Sequence, residues 1–460
     1  MLERREFLQA LTAAALAPMG AELIAPGEAQ AAAGIKPSGL IEEILCHKDA
    51  PLPSDALYAR NPEGYWAEIK KQFVFRPGFL YLNNGTCGSC PRPVVRAFVE
   101  SILHEEQMEN DDTEQYPLWG YGPWDQYRAP MADFVGASKD ELALVRNATE
   151  GLNYVANGID LNAGDEVLTT DEEHPSGLNP WKLKAKRYGI AVVQVTLPKP
   201  PQSKQQILDL LEQARTPRTR VVMVSHVTST TGCVMPVREI CAWAREHGLL
   251  SLVDGAHAAG MIPIRVKEIG CDFYVSSPHK WLLSPKGCGL LYVRDEVCDR
   301  LWNTIATGDW DNPALRAGRL QQFGSSNVSI LAGLKAAIDF WRTLGPERIE
   351  RRIRQLHAYL KQQVATLPGA VIQSAPGEEF TGGILSADFP GLDRVKLQQW
   401  IYANHRIRMR GTSPTRMRLS THIYHSVAEL DRFLSIVNDY LKQPAAWTPP
   451  LSSAAGQWAC

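Results

Sequence analysis

The chain has 460 residues, of which 45% are hydrophobic and 21% charged, a composition typical of soluble globular proteins. Its 48 basic and 50 acidic residues leave a formal net charge of −2, which offers no electrostatic basis for binding nucleic acid or a membrane surface. The length suits roughly two or three domains, and no internal apolar run approaches the roughly 18 residues of a membrane-spanning helix.

Residues 1–33 have the pattern of an export signal. Arg4 and Arg5 precede an alanine- and leucine-rich segment, and the AQA at 29–31 fits a cleavage site between small residues. The arginine pair predicts the twin-arginine route, which carries folded proteins, and therefore a periplasmic location. An amphipathic first helix is the alternative. We expect residues 34–77 to form an N-terminal arm.

From residue 78 to residue 333, short apolar runs alternate with helical stretches. The runs ELALVRN, DEVLTT, AVVQVTL, RVVMVSHV, LLSLVDG, DFYVSS and GCGLLYVR read as strands. ATEGLNYVANGI, SKQQILDLLEQAR and VREICAWAREHG have helical periodicity. Continuous Val/Leu runs separated by helices predict an α/β domain whose mainly parallel sheet is covered on both faces. Ligands of such sheets sit outside the carboxyl ends of the strands.

Residues 334–443 read as a smaller α/β domain. A long helical segment is interrupted at Gly345-Pro346, and GGILSADF, the helical RVKLQQWIYANH, RMRLST and a closing helix SVAELDRFLSIVNDYLK follow. Residues 444–460 contain two proline-rich clusters and are predicted to form a surface tail.

The nine cysteines are too few and too scattered for a disulfide framework. Cys87 and Cys90 have CxxC spacing, but there is no second CxxC, so a zinc site is not expected. We expect free thiols in a glycine-rich turn, or an oxidised pair if the protein is exported.

Polar residues stand where predicted strands end. Ala148 and Thr149 begin a helix after the first strand, where free amides and the helix dipole favour a phosphate, although a threonine can simply cap the helix. His174 follows the second strand and would alone be an ordinary surface residue. Asp254 ends the strand LLSLVDG, and by itself it would be interpreted as a cap of the next helix. Lys280 follows the strand DFYVSS, and by itself it would be interpreted as a solvated lysine. A desolvated lysine would instead have a lowered pKa and a nucleophilic amine.

Together these residues are the parts that a pyridoxal 5′-phosphate (PLP) enzyme needs. The phosphate needs amides and hydroxyls, the pyridinium N–H needs a carboxylate, and the aldehyde needs an amine. The stretch VDGAHAAGMIPIRVKEIGCDFYVSSPHKWLLSPKGCGLLYVR resembles the class V aminotransferases of the fold-type I PLP superfamily, and the resemblance covers about residues 81–440. DGAH and HKWLLSPKGCGLLYV are similar to the isopenicillin N epimerase-like branch.

The resemblance implies a role for each residue around the cofactor. Lys280 would be its covalent attachment point, Asp254 would hold the pyridine nitrogen protonated, His174 would stack on the ring, and His257 would lie near the phenolic oxygen. The phosphate would be bound by Ala148, Thr149, Ser277 and His279. A further cofactor-binding position would be Ser229, which stands where asparagine is common in the family. Ser325 in FGSSN would reach the phosphate of a neighbouring subunit, which implies a homodimer.

The resemblance also implies how a substrate binds. Arg418 in RMRLSTHIYHS would clamp the substrate carboxylate, because a planar guanidinium suits bidentate binding. Without the family, Arg418 would be one of several solvated arginines. Asn84 in YLNNGTCG lies in the loop that closes over the substrate in relatives.

The resemblance indicates the catalysed reaction less directly than it indicates the site residues. The implied activity is an isopenicillin N epimerase-like enzyme or aminotransferase acting at the α-carbon of an amino acid, with a C–S or β-elimination lyase as the alternative. Cysteine desulfurases need a loop cysteine, and none occurs between Cys298 and Cys460, which disfavours that activity. The alternative that is not an enzyme is a non-catalytic PLP-binding protein. A dinucleotide-binding oxidoreductase would need a GxGxxG turn, which NATEGLN is not.

Overall fold

The structure is a computed structural model that describes residues 44–45, 51–107, 124–322 and 324–442. The expected signal segment (1–33) and tail (444–460) lie outside the described residues. The domain boundaries expected after residues 77 and 333 stay predictions. Among the described helices, none combines the length and hydrophobicity that a membrane-spanning segment requires.

Thirteen strands are described, numbered β1 to β13 in chain order. They are Leu80–Tyr81, Leu142–Val145, Glu166–Thr170, Ala191–Val195, Thr219–Ser225, Leu250–Asp254, Phe273–Ser276, Gly289–Val293, Val371–Ile372, Ile384–Asp388, Ile407–Arg408, Arg410–Gly411 and Arg416–Ser420.

The described α-helices are numbered α1 to α13 in chain order. They are Asp55–Arg60, Pro62–Lys70, Arg92–Glu105, Asp125–Val135, Ala148–Gly158, Pro175–Tyr188, Lys204–Ala214, Val237–Glu246, Val266–Ile269, Ser329–Leu344, Pro346–Val364, Arg394–His405 and Val427–Lys442. Short 3₁₀ helices occupy Lys139–Glu141, Asp295–Arg300, Pro313–Gln321 and Glu378–Phe380.

A seven-stranded sheet in the order β2-β8-β7-β6-β5-β3-β4 organises the site. The pairs β3–β4, β3–β5, β5–β6 and β6–β7 are parallel, and β8 is antiparallel to both β7 and β2. The mainly parallel sheet predicted from the sequence is confirmed. Because β2, β3, β5, β6 and β7 run in the same direction, their carboxyl ends meet at one edge of the sheet.

Alternating side chains along these strands belong to two separate hydrophobic clusters. Leu144, Val224 and Tyr274 belong to one cluster, and their chain neighbours Val145 and Val275 belong to the other. Since successive side chains of a strand point to opposite faces, both faces of the sheet are buried. This explains why the strands read as continuous apolar runs. The edge strand β4 is the exception, with exposed or half-buried residues over most of its length.

The remaining strands form smaller sheets. β12, β13, β10 and β9 form a four-stranded antiparallel sheet, and β1 pairs with β11 in parallel. The predicted break in the long helical segment is present, because α10 ends at Leu344 and α11 begins at Pro346. Gly345 between them has φ +90°, a value that favours glycine.

Candidate active site

The carboxyl edge of the seven-stranded sheet opens into a cavity of about 230 Å³. Ten of the side chains expected at the site line it: Ala148, Thr149, His174, Ser229, Asp254, His257, Ser277, His279, Lys280 and Arg418. A wider groove of about 980 Å³ runs along α11, but none of the expected site residues is among its lining. The smaller cavity is therefore the candidate active site.

Lys280 supplies the amine of this cavity. It follows β7 in a turn, and its Nζ lies 3.2 Å from Nε2 of His257. Burial lowers the pKa of Lys280 from its usual 10.5 to about 8, since desolvation outweighs the opposing charge of Asp254, and the cations Arg418 and Arg410 lower it further. A substantial neutral fraction near pH 8 makes this amine a competent nucleophile toward an aldehyde.

A pH profile follows from this lowered pKa. We expect the rate at which the apoprotein captures added PLP to rise with pH and level off above about 8, because the neutral amine is the reacting form. The absorbance change on mixing reports the rate, and the Lys280→Ala protein supplies the blank. A rate that continues to rise to about pH 10, as for an ordinary lysine, would contradict the lowered pKa.

Asp254 supplies a buried carboxylate at the end of β6. It is 4% exposed, and its Oδ1 accepts a hydrogen bond of 2.9 Å from the backbone N–H of Ala256. Burial raises the pKa of Asp254, although that hydrogen bond and the charge of Lys280 oppose the shift. A cationic N–H donor would relieve the cost of this buried charge, and the protonated ring nitrogen of PLP is such a donor.

The start of α5 forms an anion-binding corner. Asn147 caps the helix by accepting a hydrogen bond of 2.9 Å from the N–H of Glu150, so the capping role left open for Thr149 belongs to Asn147. The N–H of Ala148 donates to Oγ of Ser277 over 3.0 Å. These groups and the positive end of the helix dipole suit a phosphate.

His174 lines the cavity, and the buried Glu173 precedes it in the chain. Nδ1 of His174 accepts a hydrogen bond of 3.1 Å from the N–H of Ser176, and burial lowers the pKa of His174 to about 4, so the ring is neutral. The preceding Glu173 accepts hydrogen bonds from Thr170 at 2.7 Å and from Ser225 at 2.6 Å. Burial raises the pKa of Glu173 to about 7.

Arg418 on β13 supplies a buried cation to this cavity. Its Nη1 donates to the carbonyl oxygen of Ser229 over 3.0 Å and its Nη2 to Oγ1 of Thr86 over 3.0 Å, while its buried Nε has no partner among the described residues. Burial and the charge of Arg410 lower the pKa of Arg418 to about 10. With a third hydrogen bond of 3.4 Å from Nη2 to Oδ1 of Asn83, the partners of the guanidinium are all neutral oxygens. A bound carboxylate would balance its charge.

Two expected residues lie away from the cavity lining. Asn84 is fully buried; its Nδ2 donates to the carbonyl oxygen of Lys280 over 3.2 Å, and its Oδ1 accepts from Tyr424 over 2.7 Å. It holds the backbone of the lysine turn, and its role in substrate binding stays a prediction. Ser325 is exposed and is not among the lining residues of its own chain, so its role toward a neighbouring subunit also stays a prediction.

The structure adds residues that sequence reasoning missed. Thr86 follows Asn84 in the same loop, lines the cavity and accepts hydrogen bonds from both Arg418 and Arg410. Arg410 lines the cavity because β12 pairs with β13 in a register that places it opposite Arg418. The sequence shows that Arg410 belongs to an arginine-rich segment, but it does not show the register in which β12 pairs with β13.

The cysteines expected in the glycine-rich turn are free thiols. Cys87 and Cys90 are both half-buried, and burial raises the pKa of each, that of Cys90 to about 11. Among the described residues, no group of three or more His, Cys, Asp or Glu side chains could hold a metal ion.

Comparisons with known proteins agree with this geometry. The profile of the family described as aminotransferase class-V matches residues 81–433. The isopenicillin N epimerase of Streptomyces clavuligerus is 30% identical over 391 residues, covering 80% of this chain and 96% of that protein. The apo cysteine desulfurase of Thermococcus onnurineus NA1 superposes with a TM-score of 0.71 at 25% identity, covering 82% and 98% of the two chains. A C-DES mutant with glycine covalently linked to its PLP cofactor has a TM-score of 0.69 at 24% identity, covering 80% and 99%.

Proposed function

The chain belongs to the class V aminotransferase family of fold-type I PLP-dependent enzymes, and from that premise we propose that it transforms an amino acid at the α-carbon by epimerisation or transamination. The observation that carries the proposal is the joint placement of Lys280 and Arg418 in one cavity of about 230 Å³. An amine that attaches the cofactor and a guanidinium that binds a carboxylate define where the α-carbon of an amino acid sits. A protein that only stores PLP needs no such guanidinium.

When bound, PLP accepts the electron pair that develops at the α-carbon of an attached amino acid. The residues of this chain would then bind and move the other groups. Arg418 would hold the substrate carboxylate, and Asp254 would pair with the ring N–H and keep that nitrogen protonated. Nζ of Lys280, with its lowered pKa, is suited to take the α-proton and return it.

The atom and face that receive the proton decide the product. Protonation of the opposite face of the α-carbon, by a donor other than Nζ, would invert its configuration, whereas delivery by Nζ to the cofactor side would lead to a keto acid. Loss of a β-substituent gives elimination, which is the alternative we keep. Relatives in this family include cysteine desulfurases. Because no cysteine occurs between Cys298 and Cys460, we favour epimerisation and transamination over cysteine desulfuration.

An amino acid panel in heavy water separates these reactions. We expect at least one L- or D-amino acid to gain deuterium at the α-carbon with inversion, or to yield its keto acid. Release of a β-fragment alone, such as sulfide from cysteine, would overturn the proposal in favour of a lyase or desulfurase. An absorbance spectrum of bound PLP that no amino acid shifts would indicate a carrier.

Arg418→Lys tests the substrate-binding assignment. We expect kcat/KM to fall about 10- to 100-fold, mostly through a higher KM, because lysine cannot make the bidentate contact. Arg416→Lys on the same strand is the matched control, since Arg416 pairs with Asp388 rather than lining the cavity. Equal losses in both variants would contradict the assignment.

We also propose that residues 1–33 direct export by the twin-arginine route. The supporting observation is the pattern of Arg4 and Arg5 before a weakly apolar segment. Replacing both arginines by lysine should retain the protein in the cytoplasm of a host that uses this route. Unchanged appearance in the periplasmic fraction would contradict the proposal.

We propose further that the enzyme is a homodimer in which Ser325 reaches the neighbouring phosphate site. Its exposure in the single chain supports this role. For the uncleaved chain, light scattering should give twice its mass of 51.0 kDa. A monomer that retains full PLP affinity would contradict the dimeric site.

A further inference from the structure

Three side chains form a hydrogen-bonded row that starts at Lys280 in the cavity. Nε1 of Trp281 donates to Nδ1 of His257 over 3.3 Å, and Nε2 of His257 lies 3.2 Å from Nζ of Lys280. Trp281 is fully buried and His257 is 4% exposed. The row therefore joins the attachment lysine to a residue outside the cavity lining.

The donor in this row determines where the proton of His257 lies. An indole N–H can only donate, so Nδ1 of His257 must accept and carries no proton. Burial lowers the pKa of His257, as do the cations and histidines facing it: Lys280, Arg418, His174 and His279. A neutral ring that accepts at Nδ1 has its proton on Nε2. That N–H is the group that faces the lysine.

We propose that Trp281 is a positioning residue that holds His257 as the Nε2–H tautomer and so makes it a hydrogen-bond donor to Nζ of Lys280. A neutral amine has a lone pair that accepts this hydrogen bond, whereas an ammonium has only N–H donors and would face another N–H. The row therefore favours the free amine of Lys280, which is the form that reacts with an aldehyde.

The position of the indole is fixed by close packing. A Cβ on Gly383 would lie 2.5 Å from Cζ3 and 2.6 Å from Cη2 of Trp281, so only glycine leaves room for the ring there. On the backbone side, Nε2 of His422 lies 2.9 Å from the carbonyl oxygen of Trp281. The indole N–H is thus held in place by contacts within the protein core.

Trp281→Phe removes the donor and keeps an aromatic ring. Nδ1 of His257 is then free to take the proton, and Nε2 can accept from the Lys280 ammonium. We expect the midpoint of the pH profile of PLP capture by the apoprotein to rise by about one unit, which slows capture about tenfold at neutral pH.

The matched control is Trp181→Phe, because Trp181 is also fully buried and its Nε1 has no hydrogen-bond partner in the described structure. It should lose similar packing energy and keep the wild-type midpoint. A midpoint in the Trp281 variant that moves no further than in this control overturns the proposal.

A second measurement needs no variant of the tryptophan. In the wild-type apoprotein with ¹⁵N-labelled histidine, NMR should show His257 protonated at Nε2 alone, with its signals identified by their loss in His257→Gln. Protonation at Nδ1, or at both nitrogens at neutral pH, overturns the proposal. The inference rests on Lys280 as the attachment point, but this readout does not depend on cofactor binding or turnover, so its failure is distinguishable from failure of the proposed function.

Discussion

Replacing Lys280 with alanine should lower turnover of any accepted amino acid by at least about 10³-fold, because one change removes the amine that we propose as both attachment point and proton carrier. PLP should still bind through the anion corner at Ala148 and through Asp254, but without a covalent bond. Added methylamine should restore part of the lost activity, since it fits the vacated space and supplies an amine.

Lys286→Ala is the matched control for this experiment. Lys286 lies in the same connection between β7 and β8, is exposed, and is not among the residues that line the cavity. We expect near wild-type turnover from it. If the Lys280 variant kept turnover within about tenfold of the wild type, the role of its amine as proton carrier would be wrong.

Replacing Asp254 with asparagine should lower turnover by about 10³-fold while PLP remains attached to Lys280. The amide has nearly the same shape but no negative charge, so the ring nitrogen loses the group that keeps it protonated. The absorbance spectrum of the bound cofactor should then lose its response to amino acids, and single-turnover kinetics should locate the loss in removal of the α-proton.

Asp272→Asn provides the comparison at another buried aspartate. Asp272 is 6% exposed, pairs with Arg294 at 2.5 Å and accepts hydrogen bonds from Ser251, all away from the cavity. This variant should lose thermal stability and keep its turnover per folded molecule. Equal losses of turnover in the two variants would show that Asp254 acts only through the fold.

The parallel sheet and its strand-end residues could be predicted because the signals are local. Both faces of the sheet are buried, so each central strand is a continuous apolar run, and the polar residue that follows it is visible in the sequence. Asp254 is the last residue of β6, and Lys280 lies in the turn that follows β7. The helix break at Gly345 is equally local, since glycine and proline together end one helix and begin the next.

Other parts of the site depend on contacts that no local pattern encodes. Arg410 enters the cavity through the pairing of β12 with β13, and a shift of one residue would turn it to the opposite face. Asn84 and Thr86 share one loop, yet only the second lines the cavity. The hydrogen bond from Trp281 to His257 depends on a glycine far along the chain, at position 383.

Borohydride reduction followed by peptide mass analysis tests the central assignment most directly. The reagent converts a carbon–nitrogen double bond between PLP and a lysine into a stable single bond, so the modified lysine survives digestion. Our account predicts the pyridoxyl phosphate mass on the peptide that contains Lys280 and on no other. An unmodified Lys280 in protein purified with ample PLP, or the label on a different lysine, would contradict it.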